Sequence, residues 1–231
     1  PNGFTSTLQD PVIVGATTAD AGTYSVIITI GSCTSPAGTV SVTITQTPSA
    51  PTAASNTPVC VGNDLSLTAS TIAGATYNWS GPNGFTSTDQ NPVISPATSA
   101  EAGTYSVTSS ENGCTSTAST TTVIVNPPPG APTAGSNAPI CSGTTLSLTA
   151  STIIAASGYT WSGPNSFASG TQNPTIGSAT TLASGTYSVT ATVPGCPVSP
   201  AGTVTVTINP SPVAPTAASN AHICEGTDLS L

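Results

Sequence analysis

The chain has 231 residues, of which 3% are charged against roughly 25% in an ordinary soluble domain, and it contains no lysine or arginine. Without a fixed cation it cannot neutralise phosphates, so the chemistry for binding nucleic acid or an anionic membrane surface is missing. Its net charge of −8 is spread over isolated carboxylates, leaving a surface of Thr, Ser, Ala, Gly, Asn and Pro that is neutral, weakly self-repelling and inclined to associate.

Taken from its start, the chain opens on Pro-Asn-Gly-Phe at Pro1, returns to that phrase at Pro82 and to a close relative at Pro164, while Ala-Pro-Thr-Ala recurs at Ala50, Ala131 and Ala214. The spacing is 81 to 83 residues, too long for a solenoid repeat and long enough for a small domain with its own core. The expected organisation is therefore residues 1–48 as the later strands of one repeat, 49–129 and 130–212 as two whole repeats, and 213–231 as the opening strands of another. Joined end to end, 213–231 and 1–48 lack about a dozen residues of one strand. The expectation is a stretch of a longer polymeric chain. Its missing strands would come from continuing repeats or from a neighbouring copy, with Leu229 and Leu231 leading toward residue 1 of another chain in a head-to-tail filament.

Within residues 49–129 the signals are all β. Leu65 and Leu67 alternate with polar residues, Tyr77 and Trp79 share a face, Tyr105 and Val107 share another, and Thr120–Val125 closes the repeat. Asn-Gly pairs and Pro-rich spacers between these runs are turn chemistry. About seven short strands in 80 residues describe a β-sandwich. Its expected core holds Leu65, Leu67, Trp79, Tyr105 and Val107, matched in the next repeat by Leu146, Leu148, Trp161, Tyr187 and Val189.

Six cysteines, Cys33, Cys60, Cys114, Cys141, Cys196 and Cys224, recur two per repeat. In a chain of this composition they point to disulfides in an oxidising, extracellular setting, with buried free thiols as the alternative. Zinc fits poorly, since there is no Cys-x-x-Cys and the one histidine is His222. An activated Ser or Thr needs a nearby base, and His222 occupies a position that carries Pro58 and Pro139 in the other repeats. No catalytic residue, cofactor or metal ligand is expected, and no Asp-x-Asp-x-Asp-Gly calcium cluster is present. Asn78-Trp79-Ser80 matches a glycosylation sequon but falls inside a strand beside a core position.

Asp20-Ala-Gly-Thr-Tyr24-Ser-Val26 resembles the Asp-x-Gly-x-Tyr-x-Cys phrase of immunoglobulin-like domains, in which the tyrosine makes the corner entering strand F. Glu101 to Val107 keeps the pattern with Glu for Asp, and Ala183 to Val189 keeps Gly185 and Tyr187. Ala69 and Ala150 stand where strand B would carry its cysteine, followed by Trp79 and Trp161 as the strand C tryptophan. The whole repeat is similar to the Ig-like and PKD-like modules strung together in very large secreted surface proteins of Bacteroidota. The resemblance implies an all-β string of tandem immunoglobulin-like sandwiches, with Tyr24, Tyr105, Tyr187, Trp79 and Trp161 structural, located outside the cell at its surface.

In that topology Cys60 and Cys114 lie at opposite ends of a sandwich about 25 Å long, whereas a disulfide needs Cα atoms within about 7 Å. Two arrangements follow: a junction bridge between Cys60 and Cys196 of successive repeats, or the intradomain bridges Cys60–Cys114 and Cys141–Cys196. Function divides similarly. The expected role is a structural filament or stalk whose partners are copies of itself, with no membrane insertion. The alternatives are an adhesin that holds glycans or another cell's surface, and a spacer within a secreted enzyme.

Overall fold

Short apolar–polar alternations broken by Gly, Asn and Pro offer no helical face. The computed structural model describes residues 1–219, 222, 224–228 and 230, and among them there are strands and short 3-10 turns but no α-helix. Leu229 and Leu231 lie outside the described residues. The chain divides into two compact units, Pro1–Val125 and Asn126–Leu231.

In the first unit, Ala53–Ser55, Leu65–Ala69 and Val93–Ile94 form one sheet, with Leu65–Ala69 in the middle. A second sheet runs from Thr86–Ser87 through Thr76–Ser80 to Gly103–Glu111, which also pairs with Ser119–Val123 and with Cys114–Thr115. All these pairings are antiparallel, and the register sets Val107 opposite Trp79 and Tyr105 opposite Thr121. Because side chains alternate across a strand, Leu65, Leu67, Trp79, Tyr105 and Val107 all point between the sheets, where each is fully enclosed. Fully burying each aliphatic side chain contributes about 1.5–3 kcal/mol.

Trp79 also needs a partner for its indole N–H, and it donates to the Gln90 carbonyl at 3.3 Å. The Gln90 side chain in turn donates to the Ala69 carbonyl at 2.8 Å, tying the loop under the tryptophan to the opposite sheet. Ala69 and Val107, which stand where an immunoglobulin domain carries its inter-sheet disulfide, are both buried. Apolar packing around Trp79 fills this place without sulfur.

The second unit repeats the plan with Ala134–Ser136, Leu146–Ala150 and Thr175–Ile176 facing Phe167–Ser169, Gly158–Gly163, Gly185–Thr192 and Gly202–Val206. Leu146, Leu148, Trp161, Tyr187 and Val189 are enclosed. Trp161 donates to the Gln172 carbonyl at 3.1 Å, and Gln172 donates to the Ala150 carbonyl at 2.9 Å. A short strand, Ile140–Cys141, pairs in parallel with Ile208–Asn209 and sets Cys141 opposite Asn209. In the first unit Val59 N–H donates to the Ile124 carbonyl at the corresponding place.

Residues 1–48 hold only half of such a sandwich. Gly22–Val26 pairs with Gly38–Val42, a small hairpin joins Thr29–Ile30 to Cys33–Thr34, and no second sheet lies over them among the described residues.

Trp79→Ala and Trp161→Ala should each cost about 3–5 kcal/mol by denaturant unfolding, since each empties the centre of a core. Native tryptophan emission should be blue-shifted and should move to the red in one step on unfolding; a red native spectrum would contradict these cores.

Candidate functional site

Three features recur at matching positions: a tyrosine corner, a cysteine pair and an apolar sheet face. The corner explains the phrase that opens the chain. Tyr24, Tyr105 and Tyr187 each donate their hydroxyl to the backbone carbonyl four residues earlier, on Asp20, Glu101 and Ala183, at 2.7, 2.9 and 2.9 Å. A backbone carbonyl is the acceptor, so the bond tolerates any side chain there. Phe4, Phe85 and Phe167 meet these rings edge to face at 5.9, 5.5 and 5.4 Å, a favourable aromatic geometry.

Gly81 and Gly163 lie under the rings, so that a Cβ on either would stand 2.3 Å from the tyrosine Cδ1. Pro82 is pressed against Gly103, whose φ of +138° already requires glycine. Asn83, at φ 55°, makes the turn and donates to the Glu101 carboxylate at 3.1 Å. The Ser-Gly-Pro-Asn-x-Phe turn is thus occupied in holding the corner. Alternating hydrophobicity carries no sign of this role, whereas the recurrence of the phrase does.

The acidic residue at the corner has separate work. The Thr98 hydroxyl and backbone N–H donate to Glu101 at 2.6 and 2.7 Å, holding its carboxyl below the ordinary glutamate range, with Asn83 adding a smaller effect. Asp20 is held low in the same way, first by the Thr17 N–H and then by Asn2 and the Thr17 hydroxyl. Burial raises the phenols of Tyr105 and Tyr187 above the usual tyrosine range, with the Glu101 charge adding to the rise at Tyr105.

Of the cysteines, Cys60 and Cys196 are disulfide-bonded, while Cys33, Cys114, Cys141 and Cys224 carry free thiols. The intradomain alternative, Cys60–Cys114 with Cys141–Cys196, is therefore not formed. The reason is visible at Cys114, which begins the strand after the two-residue Asn112-Gly113 turn at one tip of its sheet. There its sulfur lies 3.7 Å from the Thr45 carbonyl oxygen, at the end of the strand that closes residues 1–48. In the second unit the Cys196 sulfur stands in the same relation to the Asn126 carbonyl oxygen, also at 3.7 Å.

The apolar face belongs to residues 1–48. Phe4, Ile13, Ala16, Tyr24, Val42 and Ile44 line an open groove of about 310 Å³. Their counterparts 81 positions on are Phe85, Ile94, Ala97, Tyr105, Val123 and Val125, which pack in the closed core against Leu65, Leu67 and Trp79. The contrast is sharpest at Val26, which is 67% exposed where Val107 is 0% exposed.

Trp79 and Trp161 are wholly enclosed and offer no ring face to a sugar. Asn78 is exposed on its strand, and His222 is exposed. Among the described residues no three His, Cys, Asp or Glu gather as metal ligands, and no helix is long and apolar enough to cross a membrane.

Residues 48–127 match the family model of an Ig-like domain described as CHU_C associated. No curated protein matches the chain. Murine CEACAM1b resembles it with a TM-score of 0.50 at 17% identity, over 68% of this chain and 99% of that one. A chain of the mouse coronavirus receptor-binding domain complexed with its murine receptor gives 0.52 at 15% identity, over 68% and 99%. At such identities the likeness is one of fold, which is Ig-like.

Because the folded carboxyl of Glu101 is depressed, its contribution to stability is complete above the unfolded glutamate value of about 4.3 and is lost as pH falls through the folded value. Glu101→Gln should therefore lower the melting temperature at pH 7 and converge with the parent chain near pH 2. An equal difference at both values would show that the carboxylate charge does not matter there.

Proposed function

We propose that the chain is a load-bearing stretch of an extracellular, cell-surface filament or stalk, built from tandem Ig-like repeats set head to tail. The observation that carries this reading is the use made of the repeated turn. In both whole repeats Gly, Pro and Phe of Ser-Gly-Pro-Asn-x-Phe are committed to the tyrosine corner, so the most conspicuous motif serves the fold and leaves little for recognition. The enclosed tryptophans argue in the same direction, because an adhesin that holds glycans would present such rings.

Durability follows from composition and from sulfur. A chain without Lys or Arg gives trypsin-like proteases no site. We take Cys60 and Cys196, the junction pair among the alternatives that the sequence left open, to be partners of each other. Two findings support that pairing. These are the bonded cysteines, and the other four thiols are free. A disulfide closing so long a loop contributes about 2–5 kcal/mol.

Negative-stain electron microscopy with antibody against residues 49–129 tests the role: labelled beaded fibres projecting from the cell support it, and label confined to free secreted material overturns it. Purified chain should also resist trypsin and lose thermal stability in strong reductant, with a non-reduced peptide containing both Cys60 and Cys196 in the mass spectrum. An unchanged melting temperature on reduction would remove the bridge from the account of durability.

A further inference from the structure

We propose that the acidic residue at the tyrosine corner guards the asparagine of its Pro-Asn-Gly-Phe turn against deamidation, and that Asn112, in an unguarded Asn-Gly turn at a hairpin tip, is a site where the chain does deamidate. Neither statement rests on the filament reading.

Asparagine before glycine is prone to this reaction, because glycine has no Cβ to shield its backbone nitrogen. That nitrogen, deprotonated by hydroxide, attacks the asparagine Cγ; the side-chain nitrogen leaves as ammonia and a succinimide ring closes. Water then opens the ring at either carbonyl, giving aspartate or isoaspartate. A water is consumed, an ammonia is released, and no electrons are transferred. Isoaspartate carries the main chain through its Cβ and so lengthens the backbone. In the turn at Asn83 that would displace Pro82 and Phe85, which press on Gly103 and Tyr105.

Asn83 and Gly84 are both exposed, so burial does not protect them. The Asn83 carboxamide donates to the Glu101 carboxylate at 3.1 Å. Asn2-Gly3 has the same arrangement, with Asn2 donating to Asp20 at 3.0 Å. In the third copy of the turn Ala183 stands for the acid and Ser166 for the glycine, so the carboxylate and the labile pair are lost together. Ser166 takes a φ of 57°, a left-handed conformation that glycine would adopt at no steric cost. The carboxylate is not what closes the turn. Phe167 N–H donates to the Pro164 carbonyl at 3.1 Å without it, as Phe85 N–H donates to Pro82 at 3.0 Å with it, and the phenylalanine–tyrosine contacts match at 5.4 and 5.5 Å.

The work left to the carboxylate at this asparagine is chemical. It fixes the carboxamide by its N–H, and the leaving nitrogen must give up a charge-assisted hydrogen bond. Its negative charge also opposes deprotonation of the glycine nitrogen, and it would repel the new carboxylate of the product. Asn112 lacks all three effects. It is exposed in the turn between Gly103–Glu111 and Cys114–Thr115, where Asn112 and Gly113 have φ of 48° and 82° against 55° and 72° for Asn83 and Gly84. Among the described residues its side chain has no hydrogen-bond partner. The neighbouring Glu111 carboxylate turns away toward Gly74, its Oε1 3.2 Å from where a Cβ on that glycine would stand.

The test holds the 231-residue chain in warm, mildly alkaline buffer, digests samples with chymotrypsin at intervals, and reads deamidation at each asparagine by mass spectrometry, with enzymatic methylation of isoaspartate as a second readout. Asn112 should convert at least tenfold faster than Asn83. Glu101→Ala should raise the Asn83 rate at least tenfold and leave the Asn112 rate unchanged. That variant also removes a partner of Thr98, so the third copy supplies the test in the opposite direction. Ser166→Gly creates an Asn-Gly pair beside Ala183 and should make Asn165 as labile as Asn112; adding Ala183→Glu should slow it again at least tenfold. Equal rates at Asn83 and Asn112 in the parent chain would overturn the guard. An Asn165 as slow as Asn83 after Ser166→Gly alone would assign the protection to the shape of the turn and overturn it as well. An Asn112 that stays intact while Asn83 converts would overturn both statements.

Discussion

A sheet built from this sequence has an apolar face that it cannot cover by itself, and most of what the structure does follows from that constraint. Ala21–Val26 and Ala102–Val107 have the same six residues. One strand is enclosed between two sheets and the other has its valine largely in water, so the difference comes from the partner and not from the strand. Hydrophobic burial is non-directional and needs only area to cover. What gives it direction here is the two-residue period, which commits Tyr and Val to one face and leaves Thr and Ser on the other.

The remaining devices fix how the two faces meet. The tryptophan fills the middle, a glutamine ties its loop to the opposite sheet, and the tyrosine corner locks the entry of the longest strand. Neutral residues dominate the outside, so the domain has little electrostatic self-repulsion and little salt-bridge support. Its stability comes from packing and backbone pairing, with local carboxylate caps at Asp20 and Glu101.

Much of this fold is readable from residue order, because the period-two runs are short, clean and separated by turn chemistry; the all-β sandwich follows from them, and the Ig-like character from the resemblance carried by the Asp-x-Gly-x-Tyr phrase and the tryptophans. Other parts depend on distances that spacing does not encode. The Gly-Pro-Asn-x-Phe phrase reads as a turn, yet its glycine is needed because Tyr105 lies within 2.3 Å of where a Cβ would be, a neighbour 24 residues away. Cysteine spacing was compatible with two connectivities, and only the position of Cys114 at a hairpin tip removes the intradomain pairing. That the corner does without an acid is legible from Ala183 in the third copy, but spacing does not encode what the Glu101 carboxylate does instead, which is to accept from Thr98.

The most direct measurement of the central claim is residue-resolved amide hydrogen exchange on the two identical strands. Gly103–Val107 lies in a closed sandwich and should exchange only with global unfolding, whereas Gly22–Val26, paired on one side with its apolar face open, should exchange faster by several orders of magnitude in dilute reductant. Equal protection at both would mean that the strand is stabilised by its own sequence and hairpin partner, and that the missing second sheet is not what the face requires.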